Sequence, residues 1–263
     1  MRSRQLAVVL LTVAATVLSL GGPAQARAAV EPYTPYQPQV SCDPHVKAGT
    51  AAFRSLMFRR FGHRRDLGVV RSCGYGGLSE HKEGRAWDWG LNYRNKADRA
   101  TAREAITWLT EPVRDEPAAR ARRLGVMYMI WNKRIWSPYS TDGWRPYDGA
   151  SPHRDHIHFS FTWNGATKRV SWWTKRVMPI DYGPCPRWIG EYARVWHGPR
   201  LEPCPPAIRR PRAVRGMYRV QYGDTVARIA RYFDVAEAKL YRWNELVDGV
   251  DLTVGQKVRV VAP

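Results

Sequence analysis

Between Cys204 and Gly216 the chain reads CPPAIRRPRAVRG, and this stretch decides how the rest can fold. Its three prolines and four arginines give a stiff polar segment with too little apolar surface to bury. Residues 204–216 therefore form a linker, and the 263-residue chain resolves into two folding units, about 42–203 and 217–263. That division fits the usual domain sizes.

Both ends of the first unit carry further information. Arg2 and Arg4 precede an apolar run from Leu6 to Leu20, followed by Ala24-Gln25-Ala26. A charged start, an apolar middle and small residues at a cut describe a secretory signal, so residues 1–28 are expected to be removed. The run is shorter than the roughly 20 residues that span a bilayer, and no stable membrane span is expected after cleavage. Residues 29–41, with Pro32, Pro35 and Pro38, read as an extended lead-in. An exported chain should have oxidised cysteines. Cys42, Cys73, Cys185 and Cys204 permit three pairings, of which the sequential one, Cys42–Cys73 with Cys185–Cys204, is favoured. The net charge of +19 concerns partners rather than fold. Outside the cell it points to anionic wall polymers or phospholipid headgroups, not nucleic acid.

Periodicity places helix and strand in both units. Asp98–Leu109 puts Ala102, Ala105, Ile106 and Leu109 on one helical face. The segment 124–136 (LGVMYMIWNKRIW) is apolar and aromatic and reads as buried strand, and 156–161 (HIHFSF) alternates as a second strand. No regular βαβ repeat appears, so the class is α+β with an antiparallel sheet. Residues 174–203 show no clear pattern. In the second unit a strand at Tyr218 leads through Gly223-Asp224-Thr225 into a helix with Ile229, Ala230 and Phe233 on one stripe. A second helix spans 236–244 and a closing strand 257–261. Asp224 or Thr225 is the expected N-cap of the first helix.

Chemistry concentrates in two stretches, Ser79-Glu-His81-Lys-Glu-Gly84-Arg-Ala86-Trp-Asp88 and Asp155-His156-Ile157-His158. Zinc accepts imidazole nitrogen and carboxylate oxygen, and a catalytic zinc keeps one of four positions open. His81, Asp88 and one of His156 and His158 supply three ligands. On a strand His156 and His158 share a face. The apolar neighbours of Asp88 bury a carboxylate that then needs a partner.

The pattern SxHxxGxAxD followed by a strand HxH resembles the zinc peptidases of the hedgehog/D-Ala-D-Ala-peptidase fold. That group includes D-Ala-D-Ala carboxypeptidases and murein endopeptidases, and the resemblance covers about residues 42–165. It implies a Zn2+ site of His81, Asp88 and His158, and hydrolysis of stem or cross-link peptides in peptidoglycan. It implies a base at Asp155, where many members carry a glutamate, with His156 as the alternative. It also places Arg71 and Ser79 beside the substrate. Residues 217–261, with YxVxxGDTxxxIA, Trp243-Asn244 and Leu252-Thr-Val-Gly255, resemble the LysM domain, a βααβ module. This implies a groove for N-acetylglucosamine-containing glycan near Gly223, Asp224, Thr225 and Leu246. Two functions follow as expectations: a secreted wall peptidase, or a non-catalytic wall-binding protein whose zinc site is structural.

Overall fold

The computed structural model describes residues 30–195, 197–209, 211–247 and 252–263. The expected signal peptide lies outside them. Among the described residues no helix is long and apolar enough to cross a membrane.

The first unit runs α1 (Ala48–Phe61), β1 (Asp66–Gly68), a 3-10 turn (Glu80–Glu83), β2 (Ala86–Trp89), α2 (Lys96–Thr110), α3 (Ala119–Arg123), β3 (Val126–Trp131), β4 (Arg134–Trp136), β5 (Arg145–Pro146), β6 (Ile157–Phe161), α4 (Trp163–Ala166) and α5 (Ser171–Thr174). The strands form one sheet of order β1-β2-β6-β3-β4-β5, with antiparallel neighbours throughout. The sheet and mixed class agree with the expectation from sequence.

Strand alternation sorts the side chains of the central strands to two faces. Trp87, Trp89, Ile157, Phe159 and Phe161 are buried against Phe53 and Met57 of α1 and Ala102, Ala105 and Leu109 of α2. Trp87 stacks between Trp89 and Phe159, with centroids 5.5 and 5.6 Å away. The opposite face carries Asp88, His158 and Ser160. The expected single strand over 124–136 is instead a hairpin. Asn132 and Lys133 adopt φ values of 46° and 61°, the left-handed geometry of a two-residue hairpin turn. The helix expected at 98–109 gains an N-terminal extension because Asn95 caps it, its side chain accepting from the Asp98 N–H.

Both disulfides pair sequentially, Cys42–Cys73 and Cys185–Cys204. Residues 30–41 are extended, as expected, yet much of this lead-in is buried. Glu31, Gln37, Gln39 and Ser41 are at most 7% exposed. Gln37 donates to the Asp181 carbonyl and accepts from Trp163 N–H. Gln39 accepts from Ser79 N–H. The Ser171 hydroxyl donates to Glu31. The patternless segment 174–203 supplies partners of its own, Ala193 N–H donating to the Val40 carbonyl.

The second unit is β7 (Met217–Arg219), α6 (Val226–Phe233), α7 (Glu237–Asn244) and β8 (Lys257–Arg259). The strands β7 and β8 pair antiparallel, giving the βααβ arrangement expected. Its core is Tyr218, Val220, Ile229, Ala230, Leu240, Val258 and Val260.

Candidate metal centre

Three elements bring the chemistry together. β2 and β6 are paired so that Asp88 and His158 are direct Cα partners, and the 3-10 turn delivers His81. That turn closes on Gly84, whose φ is 63°. A Cβ there would sit 1.9 Å from the His45 carbonyl oxygen, so glycine is a steric requirement of the motif. Between the ligands a fully buried ion pair fixes the backbone. Arg85 Nε donates to Glu83 Oε2 at 2.9 Å, and Arg85 Nη1 donates to the Phe161 carbonyl. Glu83 Oε1 accepts from Val40 N–H, Ser41 N–H and the Ser41 hydroxyl.

Ligand atoms of His81, Asp88 and His158 lie within 4.8 Å of one another. His81 Nε2 is 3.2 Å from Asp88 Oδ2 and 3.3 Å from His158 Nδ1. His158 Nδ1 is 2.9 Å from Asp88 Oδ1. A tetrahedral ion at ~2.0–2.1 Å from each ligand separates them by roughly 3.3 Å, so the donor set fits a divalent cation such as zinc. The outer nitrogens are spoken for. His81 Nδ1 donates to the Val69 carbonyl at 2.9 Å, leaving Nε2 with its lone pair inward. His158 Nε2 is 2.9 Å from Ser160 Oγ, which leaves Nδ1 inward. Such outer partners orient metal-binding imidazoles. Ser160 in turn donates to Glu80 Oε2, which also accepts from Tyr128 Oη at 2.6 Å.

Without a metal, the inward ring nitrogens can instead carry protons. Burial alone would raise the Asp88 carboxyl, but hydrogen bonds from His158 and His81 in that state outweigh it and hold the group well below the usual carboxylate range. Burial lowers the His158 imidazole. Burial beside Glu80 raises the Tyr128 phenol, so that ring, stacked on His158 at 5.5 Å, stays neutral.

The remaining expected residues are placed differently. His156 lies next to the cluster, its Nε2 3.4 Å from Asp88 Oδ1. Asp155 points outward with its side chain 69% exposed, and accepts from His156 Nδ1 at 2.8 Å. It therefore meets the cluster through His156. Arg71 is half-buried, with its backbone N–H bonded to the His81 carbonyl and its guanidinium 5.9 Å from the Tyr75 ring. Ser79 opens the 3-10 turn without a side-chain cap. Sequence reasoning passed over His153. It is 7% exposed, its ring 4.8 Å from His156 and 5.6 Å from His158. Burial beside those imidazoles lowers it to about 4. Its φ of 46° is left-handed backbone of the kind that gathers at functional sites. A lone histidine in Ser-Pro-His-Arg carries no spacing signal that would have found it.

In the second unit, Thr225 is the N-cap, accepting from Arg228 N–H at 3.1 Å. Asp224 instead accepts from Tyr218 Oη and Gln221 N–H. Gly223 has φ 80° and accepts from Arg228 Nη1 at its carbonyl. Leu246 packs on the small core. The loop before the last strand falls partly in residues 248–251, outside the described residues.

The chain thus joins an α+β domain with a His–Asp–His cluster that could hold a metal ion to a small βααβ module. Comparison with protein families adds two matches. Residues 42–158 match the family described as VldE, C-terminal domain, a span that ends on His158. Residues 218–261 match the LysM domain. No curated protein and no solved structure matches the chain. LysM domains bind the N-acetylglucosamine of peptidoglycan, and this match indicates peptidoglycan binding and association with the cell wall. Two disulfides fit an extracellular setting.

Proposed function

We propose that the chain is a secreted zinc-dependent peptidase of the hedgehog/D-Ala-D-Ala-peptidase fold that cuts stem or cross-link peptides of peptidoglycan, held to its substrate by the LysM module. The observation that carries this reading is the convergence of His81, Asp88 and His158 within 4.8 Å in a chain that also carries a wall-binding domain. Zinc, when bound, supplies Lewis acidity and an activated water. The chain's own residues supply the rest. Asp155 fixes His156 with Nδ1–H donated outward, leaving Nε2 to take up and return a proton beside the cluster. Ser160 and the Val69 carbonyl hold the two ligand imidazoles in the required tautomers. Arg71, tied by its backbone N–H to the His81 carbonyl, is the cation for substrate carboxylate or developing negative charge.

One observation favours a second reading. Asp155 is mostly exposed and faces the cluster only through His156, so a wall-binding protein with a structural zinc site is the alternative. Digestion of purified peptidoglycan separates the two. The zinc-loaded chain should release new peptides, identified by mass, and His81→Ala should release none. Absence of any new product from the zinc-loaded chain would leave the binding protein as the correct reading.

A further inference from the structure

Glu80 is a buried carboxylate that the reading above leaves without a task. It opens the 3-10 turn that carries His81 and is only 3% exposed. A glutamate is almost never buried so fully unless it is paired. Glu83, three residues on, follows that rule through Arg85. Glu80 does not. Among the described residues no lysine, arginine or histidine forms an ion pair with it. Its partners are three hydroxyls. Oε1 accepts from Tyr36 Oη at 3.2 Å, and Oε2 accepts from Tyr128 Oη at 2.6 Å and Ser160 Oγ at 3.4 Å.

Strand register puts this group directly behind a residue of the cluster. Ser160 is two residues from His158 on β6 and shares its face. Tyr128 is the Cα partner of Ser160, and its ring stacks on that of His158. Counting protons then gives the chain of bonds one direction. A serine hydroxyl has a single proton to donate, and a carboxylate only accepts. Ser160 gives its proton to Glu80 and therefore accepts from His158 Nε2, 2.9 Å away. Nε2 carries a ring proton, and Nδ1, beside Asp88 and His81, is the atom a cation can take.

His81 reaches the same state by another route, through the Val69 carbonyl. That acceptor is backbone and neutral, whereas the one behind His158 is anionic. The unpaired charge of Glu80 thereby finds its counterpart. A divalent cation on His81, Asp88 and His158 meets one negative charge in that donor set, and Glu80 adds a second from behind Ser160.

We propose that Glu80 is a positioning residue of the metal centre: acting through Ser160, it fixes the proton of His158 on Nε2 and so presents Nδ1 to the cation. The proposal rests on the zinc site of the reading above. An outer acceptor of this kind orients a ligand imidazole and raises its basicity.

The test uses the full chain. Zinc affinity is measured against a competing chelator, and the ring protons of His158 are read from proton–nitrogen correlation spectra of the labelled, zinc-loaded protein. The unsubstituted chain should show His158 protonated on Nε2. Glu80→Gln keeps the size of the side chain and an acceptor for Tyr128, but its amide can also donate to Ser160. Zinc affinity should fall by roughly tenfold or more, and the His158 Nε2–H signal should shift. Tyr36→Phe takes a hydroxyl from the other carboxylate oxygen and should leave zinc affinity unchanged. In a Ser160→Ala background, where the chain of bonds is already cut, Glu80→Gln should cost less than it does alone. Unchanged affinity in Glu80→Gln would overturn the proposal. So would a fall in affinity with the Nε2–H signal unmoved, full additivity with Ser160→Ala, or an equal loss in Tyr36→Phe. A chain that takes up no zinc would overturn this assignment together with the reading it rests on. Zinc binding that depends on Glu80, in a chain that releases no peptide from peptidoglycan, would sink the peptidase reading and leave the assignment standing.

Discussion

Replacing Arg85 with methionine should cost the first domain a large part of its stability. Arg85 and Glu83 are both fully buried. The change removes the cation and strands the Glu83 carboxylate, together with the carbonyls of Phe161 and Gln37 that Arg85 served. Methionine fills most of the vacated volume, so the penalty is that of an uncompensated buried charge, about 3–5 kcal/mol. Domains are stable by only about 5–15 kcal/mol. At roughly 2–4 °C per kcal/mol for a domain of this size, the midpoint should fall by roughly 6–20 °C. Chemical denaturation of the metal-free chain, read by tryptophan fluorescence, measures the free energy, and calorimetry measures the midpoint. The diagnostic arm is the double variant Glu83→Gln/Arg85→Met. With the charge gone it should be more stable than Arg85→Met alone. A loss below ~1 kcal/mol in the single variant, the level of an exposed pair, would refute the reasoning. So would a double variant less stable than the single. Because the pair sits between His81 and Asp88 in the chain, zinc affinity should fall in parallel.

Ser160→Ala removes the partner of His158 Nε2, and zinc affinity measured against a competing chelator should drop roughly 10–100-fold with the fold intact by circular dichroism. Zinc affinity should also fall on acidification, because protons compete for the ligand nitrogens; burial lowers the His158 imidazole, so protonation of that ligand sets in below the usual value of ~6.5. Asp88 is held below the ordinary carboxylate range and stays charged throughout, so an affinity that does not fall on acidification would contradict this assignment. Asp224→Ala leaves Gln221 N–H and Tyr218 Oη without their acceptor. The LysM module should lose about 1–3 kcal/mol, seen as an earlier unfolding transition, while zinc binding by the first domain stays unchanged.

The convergence of His81, Asp88 and His158 was legible in the sequence because these residues obey local geometry. Strand period puts His158 on the polar face opposite Ile157 and Phe159. The pairing of Asp88 with His158 then needs only two antiparallel strands. The hairpin at 132–133 was hidden, because Asn-Lys is a weak turn signal inside a run of aromatic residues. His153 and the outward turn of Asp155 were hidden for another reason. Both depend on the irregular loop before β6, whose course is set by backbone bonds to Asn132 and Tyr93 far away in sequence. The LysM module was read almost whole, since its caps and stripes are local. The role of Asp224 escaped because its acceptor work is done for Tyr218 and Gln221 rather than for the helix end.

The buried lead-in at 30–41 changes where the first domain begins. The family match starts at Cys42, and a boundary drawn there looks natural. Yet a recombinant chain starting at Cys42 would lack the backbone of Val40 and Ser41 that holds Glu83. It would also lack Gln37, which ties Trp163 to Asp181, and Glu31, which anchors Ser171. The strap is the domain's own first stave, and trimming it to the family boundary would take away part of the wall that holds the segment from His81 to Asp88 in place.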